Sequence, residues 1–449
     1  FMAVNIKAIK GTKDTLPSES YKSQYIEQAA LDIAKTYGFH EMRTPVFEYT
    51  ELFDRSVGET TDVVQKEMYT FNDKGDRSIT LRPEGTAGAV RAFLEHGLFN
   101  EPLPQKVCYL TSCYRYEKPQ AGRLREFHQF GIECFGAASP LADAEVIALA
   151  NSYFVYLGLE NFVLEINSIG CPECRKKYSE ALKAYFADRQ GNLCETCLSR
   201  LERNPMRILD CKSPVCSEIA EGAPVVLDFI CDDCREHFES LKKYLDASGI
   251  EYTVNPQIVR GLDYYTRTVF EFVSKDEKTN GLVLCGGGRY DGLVEELGGA
   301  ALPACGLAIG LERLLLAMEE SGVAFPEPPQ CNLSIVTAGE NAVLKALEIS
   351  ADLRAEGYSV NIDTVGRSIK AQMKYANKIN SQYTVVIGDN EIESDSAKLK
   401  SMDDGTETEV KLSSFCEGFE RAFMDKAVAD FGNADFSSLT QIDINNLLK

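Results

Sequence analysis

Tryptophan is absent from this 449-residue chain, long hydrophobic runs are missing, and positive charge is in deficit. The first absence excludes nothing. The second excludes a helical membrane span, because no apolar stretch approaches the ~18 residues one needs. The most apolar segment, 306–318, is broken by Glu312 and Arg313. No charged leader followed by an apolar run opens the chain, so no secretory signal is expected and a cytoplasmic location is. The third, 47 basic against 68 acidic residues for a net charge of −21, argues against a DNA-binding or general nucleic-acid coat and against a membrane-surface binder. It leaves room for a local basic patch. What is there is ordinary globular material, 44% apolar and 26% charged, long enough for about three domains.

Fifteen cysteines are many for a reducing compartment, where disulfides are not expected. Eight of them fall between Cys171 and Cys234. The rest of the chain alternates helix and strand signals. Residues 20–37 carry a helical apolar stripe that stops at Gly38. Residues 39–49 are extended, with Pro45 suited to an edge or a strand end. Residues 76–85 form a strand ending at Pro83, followed by a helix over 86–96. Two strands, 108–116 and 127–135, flank a loop with Pro119 and Gly122 and make a candidate antiparallel hairpin. A helix over 143–157 and a strand over 162–167 lead to the cysteine-rich stretch, which ends in a helix over 235–247. Strands at 252–254, 266–273 and 282–284 and helices at 290–297 and 311–320 follow. The interruption of an antiparallel pattern marks 171–250 as an inserted subdomain of a domain spanning 1–325. The proline-rich 325–330 is a linker. Beyond it, strands 333–337, 359–363 and 383–387 alternate with helices 341–356 and 368–379, the pattern of a small α/β domain over 330–417 with parallel strands. Residues 418–449 are a polar tail, helical in part.

Several constellations carry chemistry. On the second hairpin strand Gln129, Gly131 and Glu133 share one face, with Phe130 and Ile132 on the other. Tyr109, Thr111, Cys113 and Arg115 share a face of the first. From Lys106 to Glu126 five basic residues stand against two acidic ones, a reversal of sign that suggests an anion site or a salt-bridged surface loop. Arg260 precedes a glycine and the pair Tyr264 and Tyr265; its planar fork suits phosphate or carboxylate. Gly286, Gly287 and Gly288 join a strand to a helix without the residues of a phosphate-binding P-loop. Arg313 sits in an apolar helix and needs an anion, since an unpaired buried cation costs several kcal/mol. That anion is either an internal carboxylate such as Glu312 or a phosphate. Cys171 and Cys174, Cys194 and Cys197, and Cys231 and Cys234 are C-x-x-C pairs, and Cys211 and Cys216 a looser one. Their spacing favours zinc over thiols that are merely buried. Arg367, Lys370, Lys374 and Lys378 recur on one helical face, either as a phosphate-binding stripe or as a solvated surface.

Five segments taken together resemble one family. Arg115-Tyr116-Glu117 through Glu126-Phe127-His128-Gln129 is similar to motif 2 of class II aminoacyl-tRNA synthetases. Gly310-Leu311-Glu312-Arg313 is similar to motif 3, and residues 31–45 fit motif 1. Arg260-Gly261-Leu262-Asp263-Tyr264-Tyr265-Thr266 and Gly287-Gly288-Arg289-Tyr290-Asp291 resemble the two signatures peculiar to the histidyl-tRNA synthetases. The resemblance spans residues 10–415. It implies an α+β fold: a homodimer with a six-stranded antiparallel catalytic sheet, a helical inserted subdomain and a C-terminal anticodon-binding α/β domain. It implies ATP with Mg²⁺, histidine and its tRNA as partners. Histidine attacks the α-phosphate of ATP, and the histidyl group then passes to the 3′ end of the tRNA. By resemblance Arg115 holds the α-phosphate, Arg313 the γ-phosphate, and Arg123 lies in the ATP-binding loop. Arg260 contacts substrate carboxylate and α-phosphate as the catalytic arginine. Glu84, Thr86 and Gln129 hold the substrate amino group, and Glu133 and Tyr265, beside Tyr264, the imidazole. Gln120 is a candidate for the tRNA acceptor end. Zinc is an addition to the shortest form of the family and would be structural. The rival readings are a regulatory paralogue with the same core fold and an inactive zinc-stabilised binding protein; neither would exchange pyrophosphate.

Overall fold

The structure, a computed structural model, describes residues 6–433 apart from 59, 60, 62 and 212. The chain divides into two compact units, Phe1–Pro326 and Glu327–Lys449.

The first unit opens with α1 (Ser20–Thr36), whose buried Ile26, Ala29, Ala30, Ile33 and Ala34 recur at helical spacing. It stops where expected. Gly38 takes a positive φ and Phe39 N–H closes on the Ala34 carbonyl at 3.0 Å. The chain continues through β1 (His40–Glu41), β2 (Phe47–Tyr49), α2 (Thr50–Val57), β3 (Tyr69–Asn72), β4 (Ser78–Leu81) and α3 (Thr86–Glu95). The hairpin strands β5 (Gln105–Tyr114) and β6 (Glu126–Phe135) follow, then α4 (Pro140–Tyr156) and β7 (Phe162–Ser168). Four helices, α5 (Pro172–Ala187), α6 (Glu195–Arg203), α7 (Pro214–Glu221) and α8 (Asp232–Ala247), precede β8 (Thr253–Val254), β9 (Thr266–Ser274) and β10 (Val283–Arg289). The short α9 (Leu293–Glu296), β11 (Ala304–Gly310) and α10 (Leu311–Ser321) close the unit.

The main sheet has eight strands in the order β1-β5-β6-β11-β10-β9-β7-β8. The six central strands are antiparallel throughout, as expected; two-residue strands add a parallel pairing at either edge. Phe130 and Ile132 of β6, Ile166 of β7 and Phe272 of β9 face a core completed by α1, α4, α8 and α10. Each such side chain contributes about 1.5–3 kcal/mol by leaving water. The opposite face of β6 is left free for chemistry.

Three expectations need correction. The glycine run is strand, not a strand-to-helix turn: β10 continues to Arg289, and the helix after it is four residues long. A Cβ at Gly287 would strike the Gly306 carbonyl of β11, so glycine lets the strands approach. The helix over 235–247 does not belong to the inserted lobe, because Phe238, Leu241 and Leu245 of α8 lie in the sheet's own core. Residue 418 does not begin a tail.

The second unit shows why. Its sheet runs β13-β12-β14-β15-β16, from β12 (Leu333–Thr337), β13 (Val360–Ile362), β14 (Tyr383–Ile387), β15 (Ser396–Ser401) and β16 (Glu407–Lys411). The three expected strands are parallel, and an antiparallel hairpin extends them. Helices α11 (Glu340–Ala355), α12 (Ile369–Lys378), α13 (Asp389–Ser394) and α14 (Phe415–Asn433) accompany them. Gly418 lies inside α14, and Phe415 and Phe419 are buried in the core of this unit.

Candidate active site

Antiparallel register sets the site. Tyr109 of β5 stands opposite Gly131 of β6, and Thr111 opposite Gln129. A Cβ at Gly131 would collide with the Tyr109 ring, so glycine lets that ring lie across the strand. The Tyr109 hydroxyl then donates to Glu133 Oε1 at 2.8 Å, and the Tyr290 hydroxyl donates to Oε2. Opposite Glu133 on β11 is Gly306, where a Cβ would strike the same carboxyl. Glu133 is 1% exposed. Burial pushes its pKa up to about 8; Glu84 adds to this, and hydrogen bonds from Tyr290, Thr86 and Tyr109 oppose it.

Glu84 lies at the start of α3. Its carboxylate accepts the N–H groups of Thr86 at 2.6 Å and Ala87 at 2.9 Å, capping that helix. Burial raises its pKa as well. Gln129 Oε1 accepts from the Cys113 thiol at 3.2 Å. The rings of Tyr264 and Tyr265 pack at 4.6 Å and meet Tyr290 edge-on at 5.5 and 6.4 Å.

Around this polar floor stand four arginines. Arg115 donates from Nε to the Pro83 carbonyl at 2.8 Å. Arg313 donates to the carbonyls of Gly122 at 3.2 Å and Val283 at 3.1 Å. Glu117 lies 3.3 Å from Arg123 and 3.8 Å from Arg115. Arg260 pairs closely with Glu271, and its Nε, though buried, has no hydrogen-bond partner among the described residues. Burial works most strongly against the charge of Arg260, but Glu271, Tyr265 and Cys285 together outweigh it and raise its pKa. A Cβ at Gly286 would fall on that guanidinium, so the glycine run makes its seat. Arg313 is pulled down to about 10 by burial first, then by repulsion from Arg123, Arg115 and Arg260, with Glu117 opposing. Like charges gathered under incomplete pairing cost several kcal/mol unless an anion joins them.

Glu84, Thr86, Arg115, Arg123, Gln129 and Glu133 line one cavity of about 180 Å³, together with Arg260, Tyr264, Tyr265 and Arg313. Glu312 is not the partner of Arg313; it takes the His128 ring nitrogen at 2.7 Å and its backbone N–H at 3.0 Å. Gln120 lies outside, exchanging backbone hydrogen bonds with Arg123 in a tight turn and lining a separate cleft beside α1 and α10. Arg367, Lys370, Lys374 and Lys378 belong to the second unit. There Arg367 precedes α12 and pairs with Asp363 at 2.6 Å, so only the three exposed lysines form the helical stripe.

Tyr109, Tyr290, Glu117 and Glu271 are partners in the site that sequence reasoning missed. A tyrosine facing a glycine across a hairpin was the available signal for Tyr109. Arg289, in the glycine motif, is not part of the cavity. It is fully buried, bonded to Asp143 at 3.0 Å, Asp291 at 3.1 Å and the carbonyls of Ala137 and Ser139.

The cysteines gather into two tetrads, Cys171, Cys174, Cys231 and Cys234, and Cys194, Cys197, Cys211 and Cys216. Within each, all sulfurs lie within 4.8 Å of one another. Sulfur separations are 3.5 Å for Cys171–Cys174, 4.0 Å for Cys174–Cys234 and 3.9 Å for Cys194–Cys211. Zinc bonds of about 2.3 Å in a tetrahedron give an edge of about 3.8 Å. Cys171, Cys194 and Cys231 each stand at the N-terminus of a helix. The donors fit a zinc ion in each tetrad.

An antiparallel sheet beside an arginine-lined cavity, together with the family matches that follow, defines a class II aminoacyl-tRNA synthetase. The Histidyl-tRNA synthetase family model matches residues 11–187 and 218–314, and the Anticodon binding domain model matches 332–421. The chain is 55% identical over 412 residues to the histidine–tRNA ligase of Clostridium novyi, covering 92% of this chain and 98% of that one. A structure of apo histidyl-tRNA synthetase from S. aureus superposes with a TM-score of 0.80 at 40% identity, covering 92% of this chain and all of that one. An ATP phosphoribosyltransferase regulatory subunit/histidyl-tRNA synthetase from Bacillus halodurans, 22% identical with a TM-score of 0.62 over 86% of this chain and 99% of that one, shares the fold. The chain belongs to the histidyl-tRNA synthetase family.

Proposed function

We propose that the arginine-lined cavity is where this chain carries out its family's reaction, the ATP-dependent ligation of histidine to tRNA. The observation that carries the assignment is the convergence of Arg115, Arg123, Arg260 and Arg313 on one small cavity whose floor is the clamped carboxyl of Glu133. In-line attack of a carboxylate on a phosphate asks for positioning and charge stabilisation, and needs no protein nucleophile. Arg260 spans the two reactants, its unpartnered Nε being the donor kept for them. Arg115 takes the α-phosphate and Arg313 the γ-phosphate, with Arg123 on the outer side. Their mutual repulsion is relieved by ATP, which arrives with Mg²⁺. Glu133 and Tyr265, with Tyr264 beside them, bond the imidazole; Glu84, Thr86 and Gln129 receive the amino group. Buried groups on both sides of an imidazole reject analogues that leave them unpaired.

Attack on the α-phosphate gives histidyl-adenylate and releases pyrophosphate; the adenylate then passes its histidyl group to a hydroxyl at the 3′ end of tRNA and releases AMP. Gln120 in the loop before β6 and the lysines of α12 are the proposed tRNA contacts. Among the described residues no helix is long and apolar enough to cross a membrane. The proposal includes a homodimer in the cytoplasm; exposed Val46, Phe47, Tyr49 and Phe71 on the small β2-β4-β3 sheet supply apolar surface for the partner. It also includes one structural zinc in each cysteine tetrad. Elemental analysis of the purified protein should give about two zinc ions per chain, and folded protein with none would remove that part.

The deciding experiment is ATP–pyrophosphate exchange with each amino acid in turn. Exchange with histidine alone is expected. A folded protein that binds histidine and exchanges nothing would instead be a regulatory paralogue.

A further inference from the structure

The segment that carries Arg260, Tyr264 and Tyr265 has no regular secondary structure between β8 and β9. Its polar groups are held from outside, and the holders come from the cysteine lobe. Arg175 donates from Nη1 to the carbonyls of Asp263 at 3.3 Å and Tyr265 at 3.1 Å. Arg207 donates to the Gly261 carbonyl and, from Nε, to Asp263 Oδ1 at 3.3 Å. Asn204 Nδ2 donates to the same oxygen at 3.1 Å.

Each holder is tied to a tetrad. Arg175 follows Cys174 directly, and its own N–H closes on the Cys171 carbonyl at 2.9 Å. Arg207 sits in the 3₁₀ turn Pro205–Ile208, which leads into Cys211 through a 3.1 Å bond from Cys211 N–H to the Ile208 carbonyl. Arg200 of α6, the helix that Cys194 caps, donates to the Arg207 carbonyl at 3.1 Å. None of the eight tetrad cysteines lines the reaction cavity, whereas Arg260 lines both that cavity and the cleft shared by Arg175 and Arg207. The family match passes over 188–217, which holds the second tetrad with Asn204 and Arg207.

We infer that the two metal-filled tetrads set histidine affinity, by fixing Arg175, Asn204 and Arg207 against the backbone that presents Arg260, Tyr264 and Tyr265. This rests on the zinc and active-site assignments above. Without the metal, each knuckle loses the constraint that aims its arginine, and the loop that reads the substrate loosens. Arg175 and Arg207 are positioning residues, since neither lines the reaction cavity.

The test uses the full chain, as purified and after zinc is stripped by a chelator, alongside Arg207→Ala, Arg207→Lys and Arg175→Ala. Four quantities are read: zinc content, KM for histidine and for ATP in pyrophosphate exchange, and hydrogen exchange of the backbone over 258–266. Misplacement of this kind costs up to about 100-fold. Stripping is expected to raise the histidine KM about 10- to 100-fold, with the ATP KM changed less than about threefold, and to speed exchange over 258–266. The alanine variants are expected to do the same while keeping their zinc, and Arg207→Lys to recover part of the loss. Stripped protein with unchanged histidine KM and unchanged exchange overturns the inference alone. So do alanine variants with wild-type values, or equal losses for ATP and histidine. Protein that carries no zinc, or exchanges nothing with histidine, fails the earlier assignments, and the inference falls with them.

Discussion

Arginines lie against one sheet in two settings, fully buried and half-buried, and are treated in opposite ways. Beside α4, Arg289 is fully buried and surrounded by acceptors: two carboxylates and two carbonyls. In the cavity, four arginines share two carboxylates, Glu117 and Glu271, and burial followed by mutual repulsion lowers the pKa of Arg313. Both arrangements carry the desolvation cost of a buried cation. The first recovers it within the fold and is architecture. The second leaves it outstanding, which is what the proposed binding of ATP would relieve. The side chain is the same; the degree of satisfaction tells the roles apart.

The comparison breaks first at Arg260. Arg260→Ala should slow adenylate formation about 100- to 1,000-fold, the usual cost of losing one preorganised donor at a transition state. The melting temperature should hold, because the repulsion lost offsets the pairing lost. Near-normal exchange would return Arg260 to the architectural group. Asp143→Ala makes the opposite cut. It removes one of the two carboxylates of Arg289, and with it an acceptor of His237 and Thr268, and unfolding in denaturant should register a loss of about 3–5 kcal/mol. A loss below about 1 kcal/mol would show that Asp291 and the two carbonyls satisfy that guanidinium.

Glu133 sharpens the picture through pH. Its pKa in the folded chain is about 8, above its ordinary 4.5, so the empty cavity keeps it protonated at neutral pH. Its contribution to folding is complete below the ordinary value and is lost as pH rises through about 8. A carboxylate accepts from an imidazole N–H about twice as strongly as the neutral acid does. Histidine affinity should therefore climb with pH and level off above about 8, as calorimetry across pH 6.5–8.5 would record. Glu133→Gln should bind more weakly and without that slope. A wild-type profile that is flat would place the imidazole elsewhere.

The smallest effect belongs to the exposed cations of α12. Replacing Lys370, Lys374 and Lys378 together by Ala should leave pyrophosphate exchange with histidine unchanged. The KM for tRNA should rise severalfold, and its dependence on salt should weaken by about two to three units in log–log slope. An unaltered salt slope would make the stripe a solvated surface.

Much of this was legible in the chain. Period-two alternation placed Gln129 and Glu133 on one face and Phe130 and Ile132 on the other, because a strand has no other way to sort them. An arginine within an apolar helix announced a need for anions. Partners distant in sequence were not legible. Nothing local links Tyr290 to Glu133, Arg207 to Asp263, or Cys174 to Cys234; those meetings follow from strand order and helix packing. The glycine run misled because a triplet of glycines usually marks a turn, whereas here it thins two neighbouring strands and seats Arg260. Helix α14 misled because its polar composition conceals two buried phenylalanines.

The first tetrad also closes a circle. The chain leaves the main sheet after β7 at Gly170, whose positive φ and lack of a Cβ let Cys174 fold back over it. It returns at α8 with Cys231 N–H bonded to the Cys174 sulfur at 3.0 Å. Departure and return thus share one doorway. The lobe between them is a closed loop of chain, and a pull on either of its ends is borne at Cys174 and Cys231 before it reaches a strand of the sheet.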